Sequence, residues 1–288
     1  MPPPPTTPAS SGWQGHLALN YRRDADRTVL HDRHSGPLRI LKSLYPEGPG
    51  TCHSVLVHPP AGIAGGDVLA IEAHLAPGCH ALVTTPGATR FYRSLGEPAL
   101  QSLTARVGDH ARLEWLPLET LCYRRAIAEN RMRFELAPSA EMIGWDVIAL
   151  GLPASSEPFD EGRFTQQIEL PGVWLERGTV DGGRDARLLQ SPLGWAGRSV
   201  MATLWFASGS ALGAERREAL LDSARALASG DALLRATAGA TSAHDQVVVL
   251  RALAHRVEPA MSMLQAVWAR WRGQAWGLDA TAPRVWRT

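Results

Sequence analysis

Three stretches of the chain share one form: a strand-like run, a tight turn, and a second strand-like run. They are His74-Leu-Ala-Pro-Gly-Cys-His-Ala-Leu-Val83, Ala105-Arg-Val-Gly-Asp-His-Ala-Arg-Leu113 and Glu135-Leu-Ala-Pro-Ser-Ala-Glu-Met-Ile143. The residues before the turns, Ala76, Val107 and Ala137, stand 31 and 30 residues apart. A strand pair of that length cannot bury its apolar face alone, but a stack of such pairs can, so a period near 30 predicts layered β-structure of a solenoid-like kind. Evenly spaced hairpins in an ordinary antiparallel protein share the same local form, and that reading stays open here.

The rest of the chain fits a β-rich frame. Val68–Leu75 alternates, with Leu69, Ile71, Ala73 and Leu75 on one face, and Arg131–Leu136 alternates with Met132, Phe134 and Leu136 inward. Short apolar runs at Ser54–His58, Ala81–Thr85, Met142–Leu150 and Gln246–Ala254 read as strands buried on both faces. Helical spacing appears only late. Ala214–Ser229 places Leu220, Ala224 and Leu227 together, and Pro259–Arg272 places Met261, Leu264, Trp268 and Trp271 together, with Pro259 suited to a first turn. Residues 1–11, rich in Pro, Ser and Thr, have nothing to bury and read as a disordered tail. The expected architecture is therefore mostly β: stacked β-layers in a helical arrangement, two α-helices near the C-terminus, and a single domain over 12–288.

Composition excludes several functions. With 29 basic and 28 acidic side chains the net charge is +1, without the excess expected of a nucleic-acid binder. No apolar run has the length of a membrane helix, and the N-terminus lacks the pattern of a signal peptide, so a cytoplasmic protein is expected. Lys42 is the sole lysine, which removes a P-loop, and no nucleophile elbow, zinc-protease motif or Cys-x-x-Cys is present. Cys52, Cys79 and Cys122 are too widely spaced for a disulfide framework. The soft metal ligands Cys52-His53, His58, Cys79-His80 and His31/His34 are scattered without tetrahedral-site spacing.

The chemistry-bearing segments each admit two readings. In His58-Pro-Pro-Ala-Gly-Ile-Ala-Gly-Gly-Asp67, Asp67 either binds a cation or caps a glycine-rich turn. Arg90 and Arg93, after Thr84-Thr-Pro-Gly-Ala-Thr89, either hold an anion or are surface arginines. Glu114 and Glu119 flank Pro117 and either share acid/base work or sit in salt bridges. Asp146, within Gly144-Trp-Asp-Val-Ile-Ala-Leu-Gly151, lies in an apolar run and needs a partner, and Glu176 beside Arg177 is a similar case. An acid/base hydrolase or isomerase using Asp67, Glu114 and Glu119 is one function these residues allow.

Taken in order, Tyr45-Pro-Glu-Gly-Pro49, His58–Asp67, Thr84–Ser94, Glu114-Trp-Leu-Pro-Leu-Glu119 and Gly144–Gly151 resemble the urease accessory protein D family, also called H. No single motif is specific, but five in sequence are. Three positions depart from the family's pattern: Ala61 breaks a Gly-Gly pair, Arg90 replaces a frequent Lys, and Leu118 replaces a Gln. The resemblance implies a non-enzymatic, scaffold-like chaperone that helps place nickel in urease and holds no tightly bound cofactor. It implies accessory protein F as partner, through it the GTP-hydrolysing accessory protein G, and contact with the urease apoprotein, with neither nucleic acid nor membrane involved. It implies a passage carrying nickel in transit, with matching polar positions at Asp67, Thr89, Asp146 and Glu176. Oxygen ligands suit such a path because they release a hydrated divalent ion that a Cys/His site would trap. The aromatic stripe of the last helix, Trp268 and Trp271, suggests either a partner surface or core packing.

Overall fold

Alternation of side chains sets which residues meet between layers, and the chain is described over residues 12–287 in a computed structural model. The tail expected over 1–11 lies outside the described residues. The chain begins with β1 (Gln14–Asp24), β2 (Arg27–Ser35), β3 (Arg39–Leu44) and β4 (Thr51–Val57). The periodic region follows as β5 (Val68–Leu75), β6 (His80–Thr84), β7 (Thr89–Phe91), β8 (Ala99–Val107), β9 (Arg112–Trp115), β10 (Thr120–Cys122), β11 (Ile127–Leu136) and β12 (Glu141–Leu150). After it come β13 (Arg163–Leu170), β14 (Trp174–Asp181), helix α1 (Ala186–Gln190) and β15 (Val200–Ser208). Helix α2 (Ala214–Gly230), β16 (Ala238–His244), β17 (Val247–Ala254) and helix α3 (Val257–Trp276) complete the order.

The strand pairs of the repeat are not hairpins. Each tight turn carries the chain from one sheet to the other, and successive copies pair in parallel. The first sheet has seven strands in the order β14-β13-β11-β8-β5-β1-β2, and β1, β5, β8, β11 and β13 are mutually parallel. The second has ten strands, with β4, β6, β9 and β12 parallel and β15, β17 and β16 added antiparallel beyond β12. This is the solenoid-like stack expected from the period. The register corrects one detail: Leu75, Val107 and Leu136 align, so the turns start at Ala76, Gly108 and Ala137. All three close alike, with Cys79, Ala111 and Ala140 N–H donating to those residues' carbonyls at 3.2, 3.0 and 2.9 Å. Gly108 has a reason to be glycine, since a Cβ there would sit 2.8 Å from the Leu75 carbonyl of the layer below.

Burial divides the core in two. Leu69, Ile71, Leu103, Met132, Phe134 and Ile168 fill the space between the sheets with Leu113, Trp115, Met142 and Ile148. The other face of the second sheet, through Leu82, Ile143, Trp145 and Val147, packs under α2 and α3. This is why β4, β6 and β12 are buried on both faces. Both late helices form as expected. Helix α3 runs four residues past Arg272 to a C-cap at Gly277, whose φ of +64° is the left-handed cap glycine permits. Helix α1, five residues long, has no amphipathic pattern to announce it. No helix is long and apolar enough to cross a membrane, among the described residues.

Candidate functional site

Polar side chains interrupt the apolar space between the sheets along one line. Directly paired residues on neighbouring strands point to the same face. On the first sheet Gln101, Asn130 and Gln166 are aligned across β8, β11 and β13, giving a row of amides at inward positions. On the second, Asp146 of β12 pairs with Thr203 of β15, and Thr203 pairs with Arg251 of β17. The two rows meet at Asp146, which accepts hydrogen bonds from Asn130 Nδ2 at 3.4 Å and Gln166 Nε2 at 3.1 Å. Asp146 is 4% exposed. Burial pushes its carboxyl up to about 7, the Glu176 charge adds to this, and the Gln166 hydrogen bond opposes it. Glu176 is itself raised by burial against the pull of the Arg251 guanidinium, with which it pairs across the two sheets.

The line opens at both ends. At one, a cavity of about 490 Å³ is lined by Gln166, Trp174, Glu176, Trp195, Met201 and Arg251. At the other, a cavity of about 310 Å³ is lined by His58, Ala61, Thr85, Thr89, Arg90 and Gln101. His58 is half-buried there; burial lowers its proton affinity while the nearby Asp67 charge raises it. On the inter-sheet side, three buried polar atoms have no hydrogen-bond partner: Trp115 Nε1, Trp205 Nε1 and Gln166 Oε1. Such orphaned groups cost roughly 1–3 kcal/mol each unless something supplies a partner. Trp115, Gly144 and Trp205 form one row across β9, β12 and β15. A Cβ at Gly144 would lie 2.3 Å from the Trp205 ring, so glycine admits that indole beside Asp146. Carboxylate, amide and hydroxyl oxygens inside an apolar wall can hold a hydrated cation loosely and let it go.

Three of the four residues expected on a nickel path lie on this line: Thr89 at one cavity, Asp146 at the centre and Glu176 at the other cavity. Asp67 is placed differently. Its Oδ1 accepts from Trp13 N–H at 2.7 Å and its Oδ2 from Ala64 N–H at 2.8 Å, so the carboxylate braces the glycine-rich turn and ties it to the N-terminal strand. It reaches the Thr89 cavity through its charge on His58.

The acid/base trio is not assembled. Glu114 lies fully buried on the helix-facing side of the second sheet, bonded to His80 Nε2 at 2.7 Å and Trp268 Nε1 at 2.5 Å, whereas Asp67 caps its turn at the start of β5. Glu119 offers its backbone carbonyl to Thr89 N–H. Burial alone raises the Glu114 carboxyl, but the His80 hydrogen bond and the His80 and Arg272 charges outweigh it and hold it below the usual carboxylate range.

The partner surface expected at Trp268 and Trp271 is corrected by their burial: they are 2% and 0% exposed, because α3 lays its apolar face on the second sheet. Trp271 Nε1 donates to the Leu220 carbonyl of α2 at 3.0 Å. Of the scattered soft ligands, His53 and His80 pair with Glu47 and Glu114, and the three cysteines are free and buried. Among the described residues no group of three or more His, Cys, Asp or Glu side chains is placed to hold a metal ion. Reading the sequence missed Gln101, Asn130, Gln166 and Arg251. Asn130 left a signal, for it shares the inward alternation of Met132 and Phe134.

A family profile described as "UreD urease accessory protein" matches residues 14–287. The urease accessory protein UreD of Leptothrix cholodnii is 60% identical over 278 residues, covering 96% of this chain and 99% of that protein. Those of Paracidovorax citrulli and Methylibium petroleiphilum are 59% and 58% identical, covering 95% and 96% of this chain and 99% of each relative. With the five motifs set on a layered β-fold and matches over nearly the full length, the chain belongs to the UreD urease accessory protein family.

Proposed function

We propose that this protein serves urease maturation as a non-enzymatic scaffold through which nickel travels on its way to the urease active site. Membership of an accessory family supports the role in maturation. The observation that carries the passage is the polar line from the Thr89 cavity, past Asn130, Asp146 and Gln166, to the Glu176 cavity. Its ligands are oxygens, and nickel is cargo that leaves rather than a resident cofactor. In this reading the protein works in the cytoplasm, bound to accessory protein F and through it to the GTPase accessory protein G. It meets the urease apoprotein to deliver the ion. Asp67 shapes the entrance through its turn and its field on His58, while Thr89, Asp146 and Glu176 face the ion.

The test is co-expression of urease and its accessory proteins with variants of this chain, followed by metal analysis of purified urease. Asp146→Asn and Glu176→Gln should each lower nickel per urease while the accessory complex is recovered in full. A neutral residue in place of a partly buried carboxylate removes an attraction worth on the order of several kcal/mol to a nearby divalent ion. Full nickel loading in both variants would sink the passage. Loss of nickel together with loss of the complex would assign these residues to structure instead.

A further inference from the structure

We propose that Gln166 is a metal-contacting residue of the passage, its Oε1 acting as a neutral oxygen ligand for a divalent cation beside Asp146. The inference rests on the passage reading above. Gln166 is 5% exposed, in mid-strand between the buried Phe164 and Ile168, where an apolar residue would be the ordinary choice. One side of its amide is fixed, since Nε2 donates to Asp146 Oδ2 at 3.1 Å. The other side is not: Oε1 is buried and has no hydrogen-bond partner, and the residue lines the 490 Å³ cavity that also holds Glu176. A buried amide oxygen without a partner is costly, and a planar amide held on one side aims that oxygen in one direction. A cation resting near Asp146 supplies the missing partner. An amide oxygen at this position adds a ligand beside the Asp146 carboxylate without adding a charge.

The experiment is the same co-expression, read as nickel per purified urease after a fixed exposure to nickel, with recovery of the accessory complex and thermal stability of the full chain measured in parallel. Gln166→Leu should lower loading by roughly tenfold, the scale of losing one site-forming group. Gln166→Glu, which keeps an oxygen in place, should load to at least half the parent level, with complex recovery unchanged in both variants. Parent-level loading by Gln166→Leu would overturn the proposal. If Asp146→Asn still loads poorly in that case, the passage stands without Gln166; if it too loads fully, the passage itself fails. Low loading by both Gln166 variants with the complex intact would also overturn it, since loading would then depend on the amide N–H on Asp146 rather than on the oxygen. Low loading with a depleted complex would assign Gln166 to packing.

Discussion

Asp146 holds a carboxyl where the fold supplies two amide donors and no cation of its own, and this has a measurable consequence. Its folded-state value of about 7 lies above its ordinary 3.8, so between those values the folded protein keeps a proton that the unfolded chain releases. The unfolded state then binds fewer protons, and stability falls as pH rises through that window and levels off above it. Asp146→Asn lacks this dependence. The stability of the variant relative to the parent should therefore grow from pH 4 to pH 8, by up to about 4 kcal/mol. Urea unfolding across that range measures it, and a pH-independent difference would refute it. Ala61 makes a different case. Its φ of +63° is left-handed, at the position where the family's pattern has glycine. A non-glycine residue there costs roughly 1–2 kcal/mol, and glycine returns part of that as unfolded-chain entropy. Ala61→Gly should stabilise the protein by about 0.5–1 kcal/mol, and a destabilised variant would show that the turn relies on the methyl. At this scale the sequence marked Asp146 because a carboxylate inside an apolar run needs partners. It did not name those partners, because Asn130 and Gln166 are 16 and 20 residues away and meet it only across the inter-sheet space.

Elements were legible where their periodicity was strong. The alternation of β5 and β11, the two-sided burial of β4, β6 and β12, and the apolar stripe of α3 follow from side-chain spacing alone. The period announced stacking, but whether a turn closes a hairpin or crosses between sheets depends on where the next copy lies. Only the register answers that: Gly108 N–H donates to Leu75 O at 2.9 Å and Ala137 N–H to Val107 O at 2.8 Å, so each turn rests on the one before it. The antiparallel additions β15, β17 and β16 carry no repeat and could not be placed in advance. For α3, spacing showed which residues share a face and left open what covers it. The cover is the second sheet and α2, with Trp268 edge-on to Trp145 at 6.4 Å and Trp271 edge-on to Phe206 at 6.4 Å. Leu118, where the family pattern has a polar residue, packs against the same cluster, which explains why an apolar side chain is accepted there.

Across the whole molecule, a buried ionic clasp joins early strands to the last helix. Arg272 of α3, 0% exposed, lies between Glu47 at 2.7 Å and Glu114 at 3.2 Å. Each carboxylate is held in turn by a histidine, His53 at 2.6 Å and His80 at 2.7 Å. Glu47, like Glu114, is raised by burial alone but held below its ordinary value by its histidine and by Arg272. Two ionised carboxylates facing one guanidinium make that cation the keystone. The link spans 225 residues, from Glu47 to Arg272, so neither end can leave without stranding charge in the interior. Arg272→Leu should therefore cost about 3–5 kcal/mol, the scale of breaking a buried pair by removing one partner. Glu114→Leu should cost a similar amount, for it leaves Arg272 half-paired and the Trp268 N–H without its acceptor. The double replacement should cost less than the sum by roughly 0.5–3 kcal/mol, because each single change pays for a charge that the double change removes. Urea unfolding of the full chain, followed by tryptophan fluorescence and by far-ultraviolet dichroism, provides the measurement. In the parent the two signals should change together, since the clasp couples α3 to the strands beneath it. In Arg272→Leu the helical signal should be lost at lower urea. Additive single and double effects, with coincident signals in every variant, would mean that apolar packing alone holds α3 in place.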